Sequence, residues 1–98
     1  MGSLQLDMRS GRCTKSGRTI RLSARETALL EYLLLRKGRT VPRGELMQHV
    51  WHREDAKKST SLNVYVRLLR MKVENDPHEP RLILTVPRVG YRLDPRGA

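Results

Sequence analysis

Phenylalanine is absent from the chain, and one tryptophan and three tyrosines are all its aromatic side chains. Tyr32, Tyr65, Tyr91 and Trp51 form no sheet platform for stacked bases, so single-stranded RNA recognition is not indicated. One cysteine, Cys13, cannot close an internal disulfide, which fits a reducing cytosol. Long apolar runs are missing as well. The longest, "ALLEYLLL" from Ala28 to Leu35, is broken by Glu31 and far short of the roughly 20 residues a bilayer span needs. Met1-Gly2-Ser3 lacks the basic and apolar regions of a signal peptide and is expected to be a cloning remnant. No nucleophile with a paired base, no glycine-rich phosphate loop and no carboxylate pair with a reason to be perturbed is visible, so an enzyme is not expected. His49 and His52 stand three apart, but Cys13 and His78 lie far off in sequence and complete no ligand set. Neither a metal nor another cofactor is expected.

Acidic residues are also scarce, 10 against 20 lysines and arginines, for a formal net charge of +10. Such a surface attracts a polyanion over a long range, most simply nucleic acid or an anionic membrane. The 98 residues are one domain's worth of chain, so any sensory or regulatory partner domain is expected outside them.

Residues 4 to 22 alternate in short pieces, "LQLDM", "RCTK" and "RTIRL", punctuated by Gly11 and Gly17, which predicts a small antiparallel sheet. "SARETALLEYLLLRKG" then opens with Ser23 and Glu26 at capping-box spacing and closes with Arg36, Lys37 and Gly38, marking both ends of a first helix. A second helix follows Pro42, where "RGELMQHVW" brings Leu46, Met47, Val50 and Trp51 to helical spacing. "HREDAKKS" reads as an exposed loop. A third helix is expected over Ser61 to Asn75, ended by the prolines of "DPHEP", and the chain finishes in a hairpin around "TVPRVGYRL".

On a wheel at about 100° per residue, the third helix places Leu62, Val66, Leu69 and Val73 in one stripe with Tyr65 at its edge. That stripe is the core face. The opposite side carries Thr60, Val64, Arg67, Leu68 and Met71, flanked by Asn63 and Arg70. Two readings compete for it. Val64, Leu68 and Met71 pack against a neighbouring strand or a protein partner. Alternatively this face enters a DNA major groove, where apolar side chains meet thymine methyls while Arg and Asn bond to base edges and phosphates. Lys57, Lys58, Arg67, Arg70 and Lys72, clustered on and just before the helix, favour the groove. Arg88, at the hairpin tip, has a phosphate or the minor groove as a plausible partner, and its alternative is a solubilising charge.

Sheet, capped helix, second helix ending "VW", polar loop, long third helix and terminal "GY" hairpin follow one another as in the OmpR/PhoB-type winged-helix DNA-binding domain, the effector half of bacterial response regulators. The chain resembles that family from about Leu4 to Leu93, most specifically in "LSARETALLEYLLLRKGRTVPRGELMQHVW", "SLNVYVRLLRMKVE" and "TVPRVGY". The resemblance implies an α+β winged helix-turn-helix with an N-terminal four-stranded antiparallel sheet, three helices and a C-terminal β-hairpin wing, followed by a tail at 94–98. It implies base reading by Asn63, Val64, Arg67, Leu68 and Met71. Thr60, Ser61, Tyr65, Arg70, Trp51, Thr85 and Tyr91 take positions that contact phosphate or flanking backbone. Two departures stand out. Where the family's wing reads Thr-Val-Arg-Gly-x-Gly-Tyr, Pro87 holds the arginine position and Arg88 the first glycine position. Leu68 stands where several members of the family have an arginine, exchanging hydrogen-bonded readout for an apolar contact.

The expected function is sequence-specific binding of double-stranded DNA for transcription regulation in the bacterial cytoplasm, as the effector domain of a two-component response regulator. By the resemblance, the isolated domain is monomeric, its sites are tandem direct repeats, a receiver domain completes the protein, and the 52–59 loop meets RNA polymerase in some members. The alternatives are the winged-helix domain of a membrane-anchored activator, or a protein-interaction module using the apolar outer face of helix three. Salt separates the last of these, because phosphate neutralisation is steeply salt-dependent and apolar burial is not.

Overall fold

A computed structural model of the chain describes residues 4–7, 10–15, 17–51, 59–94 and 96, without the side chains of Leu4, Trp51 and residues 59–61. Strands β1 (Leu4–Asp7), β2 (Arg12–Lys15) and β3 (Arg18–Arg21) form an antiparallel sheet in the order β1-β2-β3. This sheet has three strands among the described residues, where the resemblance implied four. Helix α1 (Ala24–Leu35) follows, then the two-residue strand β4 (Val41–Pro42) and helix α2 (Arg43–Trp51). Helix α3 (Ser59–Val73) leads to β5 (Ile83–Val86) and β6 (Gly90–Leu93), which pair with β4 in a second antiparallel sheet of order β4-β6-β5.

The ends of α1 follow from its sequence. The Ser23 hydroxyl accepts from the Glu26 amide at 3.2 Å, and the Glu26 carboxylate accepts from the Ser23 amide at 2.8 Å, so two otherwise orphaned N–H groups are satisfied. At the other end Lys37 and Gly38 both adopt positive φ, 52° and 87°, and turn the chain out of the helix. The core lies where the three helices meet the second sheet. Leu29, Leu30 and Leu33 of α1 join Leu46, Met47 and Val50 of α2 and Leu62, Val66, Leu69 and Val73 of α3, closed over by Val41, Leu82, Ile83 and Leu93. The predicted inner stripe of α3 is therefore the buried one. Gly90 is required where β6 crosses β4, because a Cβ there would sit 2.0 Å from the Val41 carbonyl oxygen.

Helix α3 starts and stops two residues earlier than the sequence suggested. Pro77 brings no N–H to the Val73 carbonyl, so the helix cannot run on, and side chains brought from elsewhere satisfy its end. The buried Lys15 of β2 donates its ammonium to the Val73 carbonyl and, at 3.0 Å, to Asn75 Oδ1, capping the last turn. The buried Glu74 carboxylate accepts from the amides of Arg81, Leu82 and Ile83 at 2.7–3.1 Å, so the chain leaving α3 is tied to the start of β5. Burial pushes the Cys13 thiol above its ordinary value, opposed by the charge of Lys15.

A third polar tie joins α1 to α3. Glu26, 2% exposed, accepts from the Lys72 ammonium at 2.6 Å while still serving the capping box. Burial pushes its carboxyl upward, but the Lys72 and Ser23 hydrogen bonds and the Lys72 charge outweigh that, so its pKa lies below the ordinary value. A depressed folded-state pKa stabilises the fold above the unfolded value of about 4.3 and loses that contribution as pH falls through the folded value. Urea midpoints measured between pH 7 and pH 2 should drop on the acid side, and Glu26→Gln should flatten that limb while lowering stability at neutral pH.

Candidate nucleic-acid interface

The outer face of α3 is open from Val64 to Met71. Val64 is 52% exposed, Leu68 39% and Met71 61%, and Arg67 is exposed beside them. These three apolar residues lie within about 60° of arc on the helix, with Arg67 between them and the flank that carries Asn63 and Arg70. The described core supplies no cover for the stripe.

The β5–β6 ribbon is docked against that flank. Arg70 donates from Nε and Nη2 to the Ile83 carbonyl at 3.1 and 2.9 Å and from Nη2 to Thr85 Oγ1 at 2.8 Å. Its guanidinium carbon also stands 5.7 Å from the centre of the Tyr91 ring. Tyr91 is buried, and its hydroxyl donates to Asn63 Oδ1 at 3.2 Å. Arg43, the first residue of α2, donates to the same Asn63 oxygen at 2.7 Å and to the Tyr91 hydroxyl at 3.4 Å, while its amide donates to the Val89 carbonyl at 3.0 Å. Tyr91, Asn63, Arg43 and Arg70 thus connect hairpin, α2 and α3 in one polar cluster.

The site residues named from the sequence fall into three groups. Val64, Arg67, Leu68 and Met71 share the open face, as the wheel placed them. Asn63, Arg70, Thr85 and Tyr91 are gathered at the ribbon junction, bonded to one another or to backbone, and Tyr65 is half-buried at the edge of the core. Trp51, Thr60 and Ser61 lie on the helices, but their side chains fall outside the described residues, as do His52 and the basic pair Lys57 and Lys58 within the predicted 52–59 loop. Lys72 points to Glu26 and Arg70 to β5, so both serve the fold. His49 stacks on Tyr32 with ring centroids 4.7 Å apart, and no group of ligating side chains that would hold a metal occurs among the described residues. Arg43 was missed because its partners lie 20 and 48 residues ahead in the chain.

The departure from the family pattern falls at the hairpin tip. Arg88, at the glycine position, has φ +66°, the left-handed conformation that glycine adopts without strain. Its side chain is exposed. Pro87 and Val89 complete the turn, closed by a 3.0 Å bond from the Val89 amide to the Val86 carbonyl.

Two helices followed by a ribbon clasped to the second of them make a winged helix-turn-helix. The family model described as "Transcriptional regulatory protein, C terminal" matches residues 17–93, and the chain belongs to that family. It is 37% identical over 93 residues to the sensory transduction protein RegX3 of Mycobacterium tuberculosis strain H37Rv, covering 95% of this chain and 41% of that protein. It is also 37% identical over 94 residues to the transcriptional regulatory protein CusR of Escherichia coli K12, covering 96% and 41%. The chain therefore spans about two-fifths of the length of these curated relatives. Among solved structures, the Klebsiella pneumoniae RstA DNA-binding domain in complex with the RstA box superposes with a TM-score of 0.85 at 26% identity, over 96% of this chain and 93% of that one. DrrB, a Thermotoga maritima OmpR/PhoB homolog, superposes with a TM-score of 0.84 at 29% identity, over 95% and 42%. Among the described residues no helix is long and apolar enough to cross a membrane.

The Arg70 clasp yields a direct test. Arg70→Ala should cost about 1.5–3 kcal/mol, the range for hydrogen bonds to a charged group, and should speed amide exchange over 83–86. Arg70→Lys should recover less than half, since one ammonium cannot reproduce the fork that holds both the carbonyl and Thr85.

Proposed function

We propose that this chain binds double-stranded DNA sequence-specifically and regulates transcription as the C-terminal effector domain of a two-component response regulator. The observation that carries the reading is the open α3 face, with Val64, Leu68 and Met71 beside Arg67, in a chain of net charge +10. Placed in the major groove, this face meets base edges, while the docked ribbon carries Arg88 toward the neighbouring minor groove. Thr60, Ser61, Trp51 and Thr85 are assigned to phosphates and flanking backbone. Arg70, Tyr91 and Asn63 act chiefly by holding ribbon and helix in one orientation. The RstA domain, of nearly the same length, is a DNA complex, which supports the reading.

The finer assignments follow the family likeness. Residues 4–93 form the DNA-binding domain and 94–98 a tail. A receiver domain belongs to the rest of the protein, consistent with the 41% share of RegX3 and CusR that this chain matches. The protein acts in the cytoplasm, the isolated domain is monomeric, its sites are tandem direct repeats, and residues 52–59 face RNA polymerase.

Selection of bound duplexes from a random library, followed by salt titration on the recovered site, tests this reading. A short motif should emerge, and its affinity should fall roughly 40-fold between 50 and 200 mM salt if three phosphates are neutralised. Binding without a motif, or a motif with no salt slope, would count against it. A salt-insensitive protein complex made through Val64, Leu68 and Met71 would favour the interaction-module alternative. Arg67→Ala should lose about 1–3 kcal/mol on the recovered site and far less on random DNA. Arg88→Gly should weaken binding without changing sequence preference, yet raise stability by up to ~1 kcal/mol by relieving the positive φ. Equal stability and unchanged binding would remove Arg88 from the interface.

A further inference from the structure

The side chains that remain available on α3 differ from those its sequence offers, and the difference constrains what the helix reads. An asparagine that recognises adenine uses both ends of its carboxamide, the oxygen accepting from N6 and the nitrogen donating to N7. Asn63 Oδ1 already accepts from Arg43 at 2.7 Å and from Tyr91 at 3.2 Å. The Arg70 fork is bound to the Ile83 carbonyl and Thr85, and the Lys72 ammonium to Glu26. Among the described side chains of α3, Arg67 is left as the uncommitted hydrogen-bonding group of the outer face, and Asn63 on its flank keeps only its amide nitrogen as a donor. The other described side chains on that face are apolar: Val64, Leu68 and Met71.

Resting on the DNA-binding reading proposed above, we infer that this domain reads its half-site mainly through pyrimidine C5-methyl groups, with Arg67 as its hydrogen-bonding reader. Of the four bases only thymine carries an apolar group on its major-groove edge, so an apolar stripe finds a matched surface only there. Spacing sets the extent. Val64 to Met71 spans seven residues, about 10 Å of helix axis at 1.5 Å per residue. That matches about three base-pair steps at 3.4 Å. The half-site therefore holds a cluster of thymines within three to four consecutive pairs, on either strand. Arg67, on the ribbon side of the stripe, takes a guanine at the edge of that cluster, where its fork matches O6 and N7. Stability is not at issue in the test, because Val64, Leu68 and Met71 contribute little to the core.

The experiment replaces each thymine of the selected duplex in turn by deoxyuridine, which removes the methyl and leaves every hydrogen-bonding group. Affinities are measured for the unaltered chain and for Val64→Ala, Leu68→Ala and Met71→Ala, with circular dichroism as the fold control. Removal of a contacted methyl should weaken binding about fourfold, the effect of one buried methyl group. Two or three adjacent thymines should respond, and each response should shrink toward unity in the one variant that lacks its partner. Replacing the guanine beside them by 7-deazaguanine should weaken the unaltered chain but not Arg67→Ala. Sequence-specific binding that tolerates uracil at every position would overturn this inference while leaving DNA reading intact. Uracil effects that persist unchanged in all three variants would also overturn it, assigning the methyl dependence to duplex shape. Failure to recover any motif would overturn both readings together.

Discussion

The guanidinium of Arg70 joins the two elements on which any readout of a duplex depends. It rises from the third helix and is held by the Ile83 carbonyl and Thr85 hydroxyl of the ribbon, with the Tyr91 ring beside it. A hairpin of four-residue strands has little stability of its own. Docked in this way, helix and ribbon are held in one orientation, so the arrangement that the proposed contact with two grooves requires is present before binding. Arg43 and Asn63 extend the same cluster to the start of α2, which places all three elements of the interface in one network.

Elsewhere too the fold fixes α3 with buried or half-buried charge. Lys15 caps its last turn, Lys72 reaches Glu26 across to α1, and Glu74 gathers the amides that begin β5. A small domain without phenylalanine has a modest core, and these long-range polar bonds hold the last turn of its principal helix. Several cations that a count of charge assigns to DNA are therefore occupied within the protein. The surface left to a partner is narrower and more apolar than a net charge of +10 suggests.

Local signals carried most of the architecture. The Ser23 and Glu26 spacing marked the start of α1 because a capping box involves residues only three apart. Helical periodicity separated the two faces of α3, and each buried position on the wheel is buried in the fold. Bonds between distant residues were not legible. Nothing near Lys15 announces Val73 as its acceptor, nothing near Arg43 announces Asn63, and the two-residue β4 is defined only by its pairing with β6. The wheel put Asn63 and Arg70 on the flank of the outer face, and their bonds to the ribbon add what helical spacing could not show. The wing substitution was visible as a mismatch of residue types, and the positive φ of Arg88 gives it a backbone meaning.

The central claim is that DNA meets the outer face of α3 together with the tip of a ribbon already docked to it. Amide chemical shifts followed by NMR during titration with the selected duplex test it most directly. The account predicts that perturbations concentrate at Val64, Arg67, Leu68, Met71 and Arg88, while Ile83 and Leu93 hold their free-state positions because the ribbon does not re-dock. Perturbations centred instead on the N-terminal sheet, at Arg12 to Arg21, with α3 unchanged, would contradict it.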